Sequence, residues 1–370
     1  MAYFLKQTKQ KNRTYLAIYE SFYSHDKKNT AHRCYKSLGS VETHLQNGIG
    51  NPIAHFQKEV DELNKNKREE RVRKISDKSS NLYLGYFPLK SILDKLKIKE
   101  FVDYFKLSND FKYDLYELLS SSAYARSVAP CSENRTFHDI LPYLYHPYHY
   151  SYVQLIEGIS FLGSNYEKFI EIFTMQVDRI YGIDTSKTYC DHTNYYFGID
   201  PIIGISLLLD RNQIPIGMKM YPVKESEKPV PEDAMNLKSE IGMIYPETYN
   251  TYHTLRRIKE SFKIMKSDLD VHSEFSLKED CIKGHFLICY FTVLLERIFQ
   301  FNVLDDKYSA SEVDDFIKSF QVIKDESKYI NTTIYTAFIN DLSRKFNLPL
   351  TNYFLTETQI KSILNYKLPL

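Results

Sequence analysis

The sequence predicts an α+β fold, predominantly helical, with a small antiparallel sheet near the N-terminus. Three observations carry this expectation. Residues 15–23 (YLAIYESFY) are rich in aromatic and branched side chains, and 31–38 follows after the polar stretch 24–30, the pattern of two short paired strands. Residues 86–181 keep helical spacing almost throughout. From 188 to 221 the pattern changes to strands, and after Pro246 it returns to helix.

Taken in order, a helix should start near Pro52 and run into the charge-dense stretch 64–74 (NKNKREERVRK), read as a solvated helix or linker. Within 86–181, breaks are expected at 108–110, 129–130, 146–147 and 163–165, where Asn, Asp, Pro, Gly and Ser cluster. His146 and His149 form an H-x-x-H pair, but Pro147 between them favours an aromatic loop over a metal site. Strands are expected at 188–197, 202–209 and 214–221, the last two joined by a turn at Asp210, Arg211 and Asn212. Residues 279–299 are apolar on nearly every side, so that helix should lie centrally, with smaller capping helices following to Leu370. The expected segments are a basic sheet domain (1–50), a charged helix or linker (51–80), a helical domain (81–184), a core (185–305) and C-terminal helices (306–370).

The chain has 370 residues, 48 basic and 47 acidic, a net charge of +1, so overall charge does not single out a nucleic-acid binder. Residues 1–40 differ. Eight basic side chains (Lys6, Lys9, Lys11, Arg13, Lys27, Lys28, Arg33, Lys36) stand against Glu20 and Asp26, a local balance of +6. That is either a phosphate-contacting surface or the solvated edge of a small sheet. The longest apolar run, 286–295, is shorter than the roughly 20 residues a bilayer-spanning helix needs, so no transmembrane segment is expected. The N-terminus has no apolar stretch followed by a cleavage site, which points to the cytoplasm. Five cysteines without a C-x-x-C pair argue against disulfides and against a zinc site. The 31 tyrosines carry no functional reading.

Two segments carry chemistry. Asp191 lies in KTYCDHTNYYF, where a buried strand would bring a carboxylate to an open sheet end; alone it reads equally as a structural aspartate. On the helix expected over 252–266, Leu255, Ile258, Phe262, Met265 and Leu269 form a core stripe. Tyr252, Lys259 and Lys266, seven apart, border it, which alone fits an amphipathic helix with snorkelling lysines.

These segments and several others resemble one family. YLGYFPLKSI (83–92), DHTNYYF (191–197), PIIGISLLLDRNQIPIGMKMYP (201–222), ESEKP (225–229), YNTYHTLRRIKESFKIMKSDLD (249–270), KEDCIKGHFLICYFTVLLERIF (278–299) and NYFLTETQIKSILNYKL (352–368) are similar, in collinear order, to DDE transposases of bacterial insertion sequences. The group is the one with a ribonuclease-H-like catalytic core and a Tyr-Arg-Glu-Lys signature helix. The resemblance implies that two aspartates and a glutamate bind two Mg2+ or Mn2+ ions for phosphoryl transfer on DNA. It places Asp191 as the first aspartate. The phrase of the second aspartate is missing, with a deletion near 230–245, and Asp233 is not in the expected context. Tyr252 and Lys266 fit the signature, but Leu255 stands at the arginine and Lys259 at the catalytic glutamate.

A lysine removes a ligand and repels metal, and Glu260 is turned about 100° away around the helix. The resemblance therefore implies a truncated ribonuclease-H-like core with three strands, a metal site reduced to Asp191, and no productive metal binding. Expected partners are DNA at element ends, through residues 1–40 with Tyr252 and Lys266, and a second copy or an intact transposase, with no membrane. A DNA-bound chain would be nucleoid-associated. The alternatives are a non-catalytic DNA-binding or dominant-negative remnant and a functionless pseudogene product.

Overall fold

The structure is a computed structural model describing residues 3–10, 13–24, 29–76, 81–106, 109, 111–146, 148–197, 200–221, 278–325 and 328–369. The fold is mixed α+β, mostly helical, with small antiparallel sheets. The chain divides into two compact units, Met1–Ser79 and Ser80–Leu370.

The first unit is a three-stranded antiparallel meander, β1 (Tyr3–Gln10), β2 (Arg13–Ser24) and β3 (Asn29–Ser40), with helices α1 (Val41–Gln46) and α2 (Pro52–Ser76). The sequence pattern led to two strands. β1 is the third, and its alternation is hidden because only its first residues, Tyr3, Phe4 and Leu5, are partly buried. Helix α2 begins at Pro52 as expected; Asn51 Oδ1 accepts from the Ala54 backbone N–H at 3.1 Å, which caps the helix ahead of a proline that needs no partner there. Phe56 and Val60, one turn apart, are buried, as are Leu16 and Ile18 of β2. The Asn64 side chain bonds the backbone N–H and C=O of Tyr3, at 2.7 and 2.9 Å. The charge-dense stretch is thus helical as far as Ser76, and it is tied to the sheet rather than serving as a free linker.

The second unit contributes one extensive hydrophobic cluster running from Leu84 to Leu364. Its axis is the helix Glu279–Ile298, here α9, in which every residue from Phe286 to Ile298 is buried. Glu296 and Arg297 follow the apolar run 286–295. Both are buried, because the helix continues as a π-helical turn over Phe299–Val303 and Arg297 bonds Gln300 at 2.7 Å. With that extension, Glu279–Val303 has the length and apolarity to cross a membrane, but 83% of its most apolar window is buried inside the protein, as in a core helix.

Around α9 lie α3 (Phe87–Lys95), α4 (Ile98–Lys106), α5 (Leu115–Val128), α6 (Glu133–Arg135), α7 (Tyr152–Ser164) and α8 (Tyr166–Tyr181). Their breaks fall close to those expected, and an unanticipated one occurs at Lys97, which has φ of 53°. α7 and α9 approach backbone to backbone. A Cβ on Gly163 would lie 1.8 Å from the Asp280 carbonyl oxygen, and one on Gly284 1.9 Å from that of Ile159. Glycine is required at both positions by space alone.

Strands β5 (Tyr189–Phe197), β6 (Asp200–Leu209) and β7 (Pro215–Tyr221) form the expected three-stranded sheet in the order β5-β6-β7. Buried Asp210 holds the β6–β7 turn: its carboxylate accepts from the backbone N–H groups of Ile214 (2.8 Å) and Asp184 (3.3 Å). Burial raises its pKa to about 6.

The C-terminal expectation is also corrected. Besides three helices (Ala310–Ser319, Ala337–Phe346, Glu357–Leu364), this region forms strands β8 (Gln321–Asp325), β9 (Lys328–Asn331) and β10 (Phe354–Leu355). They build the sheet β10-β9-β8-β4 with β4 (Asn81–Tyr83). Strands of two to five residues are too short for a period-2 signal, and β4 pairs with a strand far along the chain, Asn81 opposite Ile323.

Candidate functional site

Asp191 is the third residue of β5 and pairs with Leu207 of β6. It stands within the ladder rather than at an open end, because pairing already begins at Tyr189 opposite Leu209. Alternation places Tyr189, Asp191, Thr193 and Tyr195 on one face, with Ile203, Ile205 and Leu207 of β6. Tyr195 and these β6 residues join the main hydrophobic cluster, and the Tyr195 ring lies 4.2 Å from that of Phe286 on α9. Asp191 is therefore a half-buried carboxylate on the core-facing side of the sheet, accepting from the His192 backbone N–H at 2.9 Å.

Tyr252, Lys259 and Lys266 lie outside the described residues, as do Leu255, Glu260 and Asp233. The expected approach of Lys259 to Asp191 falls outside them too. Among the described residues, no group of three His, Cys, Asp or Glu side chains is placed to hold a metal ion. His146 and His149 do not converge. His146 packs edge-on to Tyr124, and His149 Nδ1 meets Glu117 Oε1 at 2.9 Å.

Of the basic residues in 1–40, Lys11, Lys27 and Lys28 lie outside the described residues. Lys6, Lys9 and Arg13 are exposed. Arg33 pairs with Glu20 at 2.6 Å, and Lys36 with Glu59 of α2 at 2.6 Å. Lys67 also bonds Glu20, so that Lys67 first and then Arg33 hold this carboxyl below its usual range. The local excess of +6 is thus partly neutralised by α2, and Lys6, Lys9 and Arg13 are the described residues best placed to meet phosphates.

A second polar cluster gave no sequence signal strong enough to find it. Glu133 of α6 bonds His285 Nδ1 of α9, and Arg126 of α5 donates to the Cys131 carbonyl at 3.1 Å. Cys289 sits one turn from His285. Ser122, Arg126, Glu133, Thr136 and His285 line a cavity of about 20 Å³, room for one water and not for an organic substrate. Burial pushes the Glu133 carboxyl up, but the His285 imidazolium outweighs it and brings the value to about 2. Burial pushes His285 down, while Cys289 and Glu133 together raise it to about 9. Burial likewise opposes ionisation of Cys289, yet Arg126 and His285 leave its thiol below the ordinary value. The signal available was the i, i+4 pair His285 and Cys289 within an apolar helix, but their partner Glu133 lies 152 residues away.

No family profile, characterised protein or solved structure matches the chain.

Proposed function

We propose that this chain is a transposase-family protein whose phosphoryl-transfer site is incomplete, so that binding of DNA without cleavage is the activity it keeps. The collinear set of seven phrases carries this reading. It is supported by Asp191 standing on β5, directly paired with the strand of the next phrase. On this reading, β5–β7 are the first three strands of a truncated ribonuclease-H-like core. Of the three carboxylates, only Asp191 is retained, and Lys259 occupies the glutamate position. Mg2+ or Mn2+, the family's ions, would find one ligand where the chemistry needs two ions held about 3.5–4 Å apart. The partners are DNA and, through shared ancestry, an intact transposase that this chain would poison by co-assembly.

The purified chain is expected to show no Mg2+- or Mn2+-dependent cleavage of a DNA carrying the element's ends, and Lys259→Glu alone should not restore it. Measurable cleavage that disappears in Asp191→Ala would overturn the assignment of the site. DNA affinity should fall steeply with salt, as expected of phosphate contacts. Because β1, β2 and β3 are the sheet itself, point changes test the contact better than deletion. Lys6→Ala with Arg13→Ala should reduce the slope of log affinity against log salt by about 2. An unchanged slope would remove these residues from the interface.

A further inference from the structure

The sheet of the N-terminal unit has one face covered and one open. Glu20, Leu16 and Ile18 point to the covered side, where Lys67, Phe56 and Val60 of α2 are also found. The register of β1 with β2 and of β2 with β3 puts Phe4, Lys6, Arg13, Tyr15, Tyr19 and His32 on the opposite face. Direct contacts agree with this. The Phe4 ring lies 5.9 Å from Tyr19 and 5.1 Å from His32, and Lys6 Nζ sits 4.5 Å from the Tyr19 ring centroid. Tyr15, Lys6, Arg13 and His32 are exposed.

The charge of this face is one-sided. β1, β2 and β3 contain a single carboxylate, Glu20, and it points to the covered side. Among the described residues, an acidic neighbour at the sheet's rim is Glu42 of α1, which accepts from the Thr14 backbone N–H and feels the Arg13 guanidinium. Rings without carboxylates, flanked by cations, suit a partner that presents flat π-faces and phosphates together. A duplex offers phosphates but hides its base faces in the stack, whereas an unpaired strand exposes both.

We propose that this open face binds an unpaired DNA strand, its bases stacking on Tyr15, Tyr19 and His32 and its phosphates held by Lys6 and Arg13. The proposal rests on the DNA-binding reading above and names the form of DNA that this unit takes.

The test uses the full chain with a labelled oligo-dT of about twelve nucleotides and a duplex of equal length at low salt. The sequence has no tryptophan, so Tyr15→Trp introduces a single indole emitter on the face. Oligo-dT should bind more tightly than the duplex and quench that emission. Tyr15→Ala with Tyr19→Ala should weaken oligo-dT binding about tenfold and leave duplex binding unchanged, and the Phe pair should restore it. If the Ala pair loses its circular dichroism signal, the Trp quenching and the Phe pair decide. Duplex binding as tight as oligo-dT, with no quenching, would overturn the stacking face while leaving DNA binding intact. Binding to neither DNA would overturn both.

Discussion

Gly284→Val is expected to destabilise the larger unit by about 3 kcal/mol or more, at or beyond the upper end of usual overpacking costs. A Cβ at this position meets the Ile159 carbonyl oxygen at 1.9 Å and the Ile159 carbonyl carbon at 2.8 Å. Both are backbone atoms of α7, so no side-chain rotation relieves the clash, and the helices must separate. Separation would loosen the most buried helix of the unit, where Phe291 stacks on Phe173 at 4.2 Å and Phe286 lies against Tyr195. The melting temperature should fall by roughly 6 °C or more, read by circular dichroism at 222 nm. Gly163→Ala should act in the same direction, since its Cβ would sit 1.8 Å from the Asp280 oxygen. Gly50→Ala, with nothing within 4 Å of its added Cβ, is the control. A Gly284→Val protein melting within a degree or two of the parent would show that α7 and α9 do not pack at this distance.

That contact marks the limit of what the sequence alone conveys. Local pattern was enough for the β5–β6–β7 sheet, the Asp210 turn, the start of α2 at Pro52 and the burial of α9, because each leaves its signal within a few adjacent residues. Gly163 was legible only as a helix breaker. In the structure the helix reaches Ser164 and the glycine serves as a notch for α9, a role that depends on a partner 121 residues on, at Gly284. The pairing of β4 with β8, the ion pair of Lys36 with Glu59 and the bond between Glu133 and His285 are lost to a local reading for the same reason. Charge counting along 1–40 does not convey pairing: Arg33 and Lys36 are exposed, and each also meets a carboxylate, Glu20 and Glu59 of α2. Of the candidate catalytic residues, only Asp191 lies among the described residues, so its place in the β5–β6 ladder is the part of that site tied to geometry.

Glu133→Ala should cost about 3–5 kcal/mol near pH 6, the range for removing one partner of a buried ion pair. The loss arises because the His285 imidazolium and the Arg126 guanidinium remain buried without their carboxylate, since α9 and α5 hold them there. Replacing both partners, Glu133→Leu with His285→Leu, should recover the part of that loss owed to the imidazolium, while Arg126 stays buried without the carboxylate. The pH dependence separates this electrostatic cause from simple loss of packing. His285 has a folded pKa raised from 6.5 to about 9, so its contribution is complete below about 6.5 and disappears as pH climbs through 9. Glu133 has a folded pKa lowered from 4.5 to about 2, so its contribution is complete above about 4.5 and disappears as pH falls through 2. Between those limits, from about pH 4.5 to 6.5, the pair stabilises fully. Urea unfolding of the parent should therefore show stability declining from about pH 6.5 toward 9, and Glu133→Ala should make that decline shallower without abolishing it, because Cys289 also holds the imidazolium charged. A variant as stable as the parent at pH 6 would show that Glu133 contributes nothing to stability, and one that is less stable but keeps the parent's slope above pH 7 would show that Glu133 acts through packing and not through its charge.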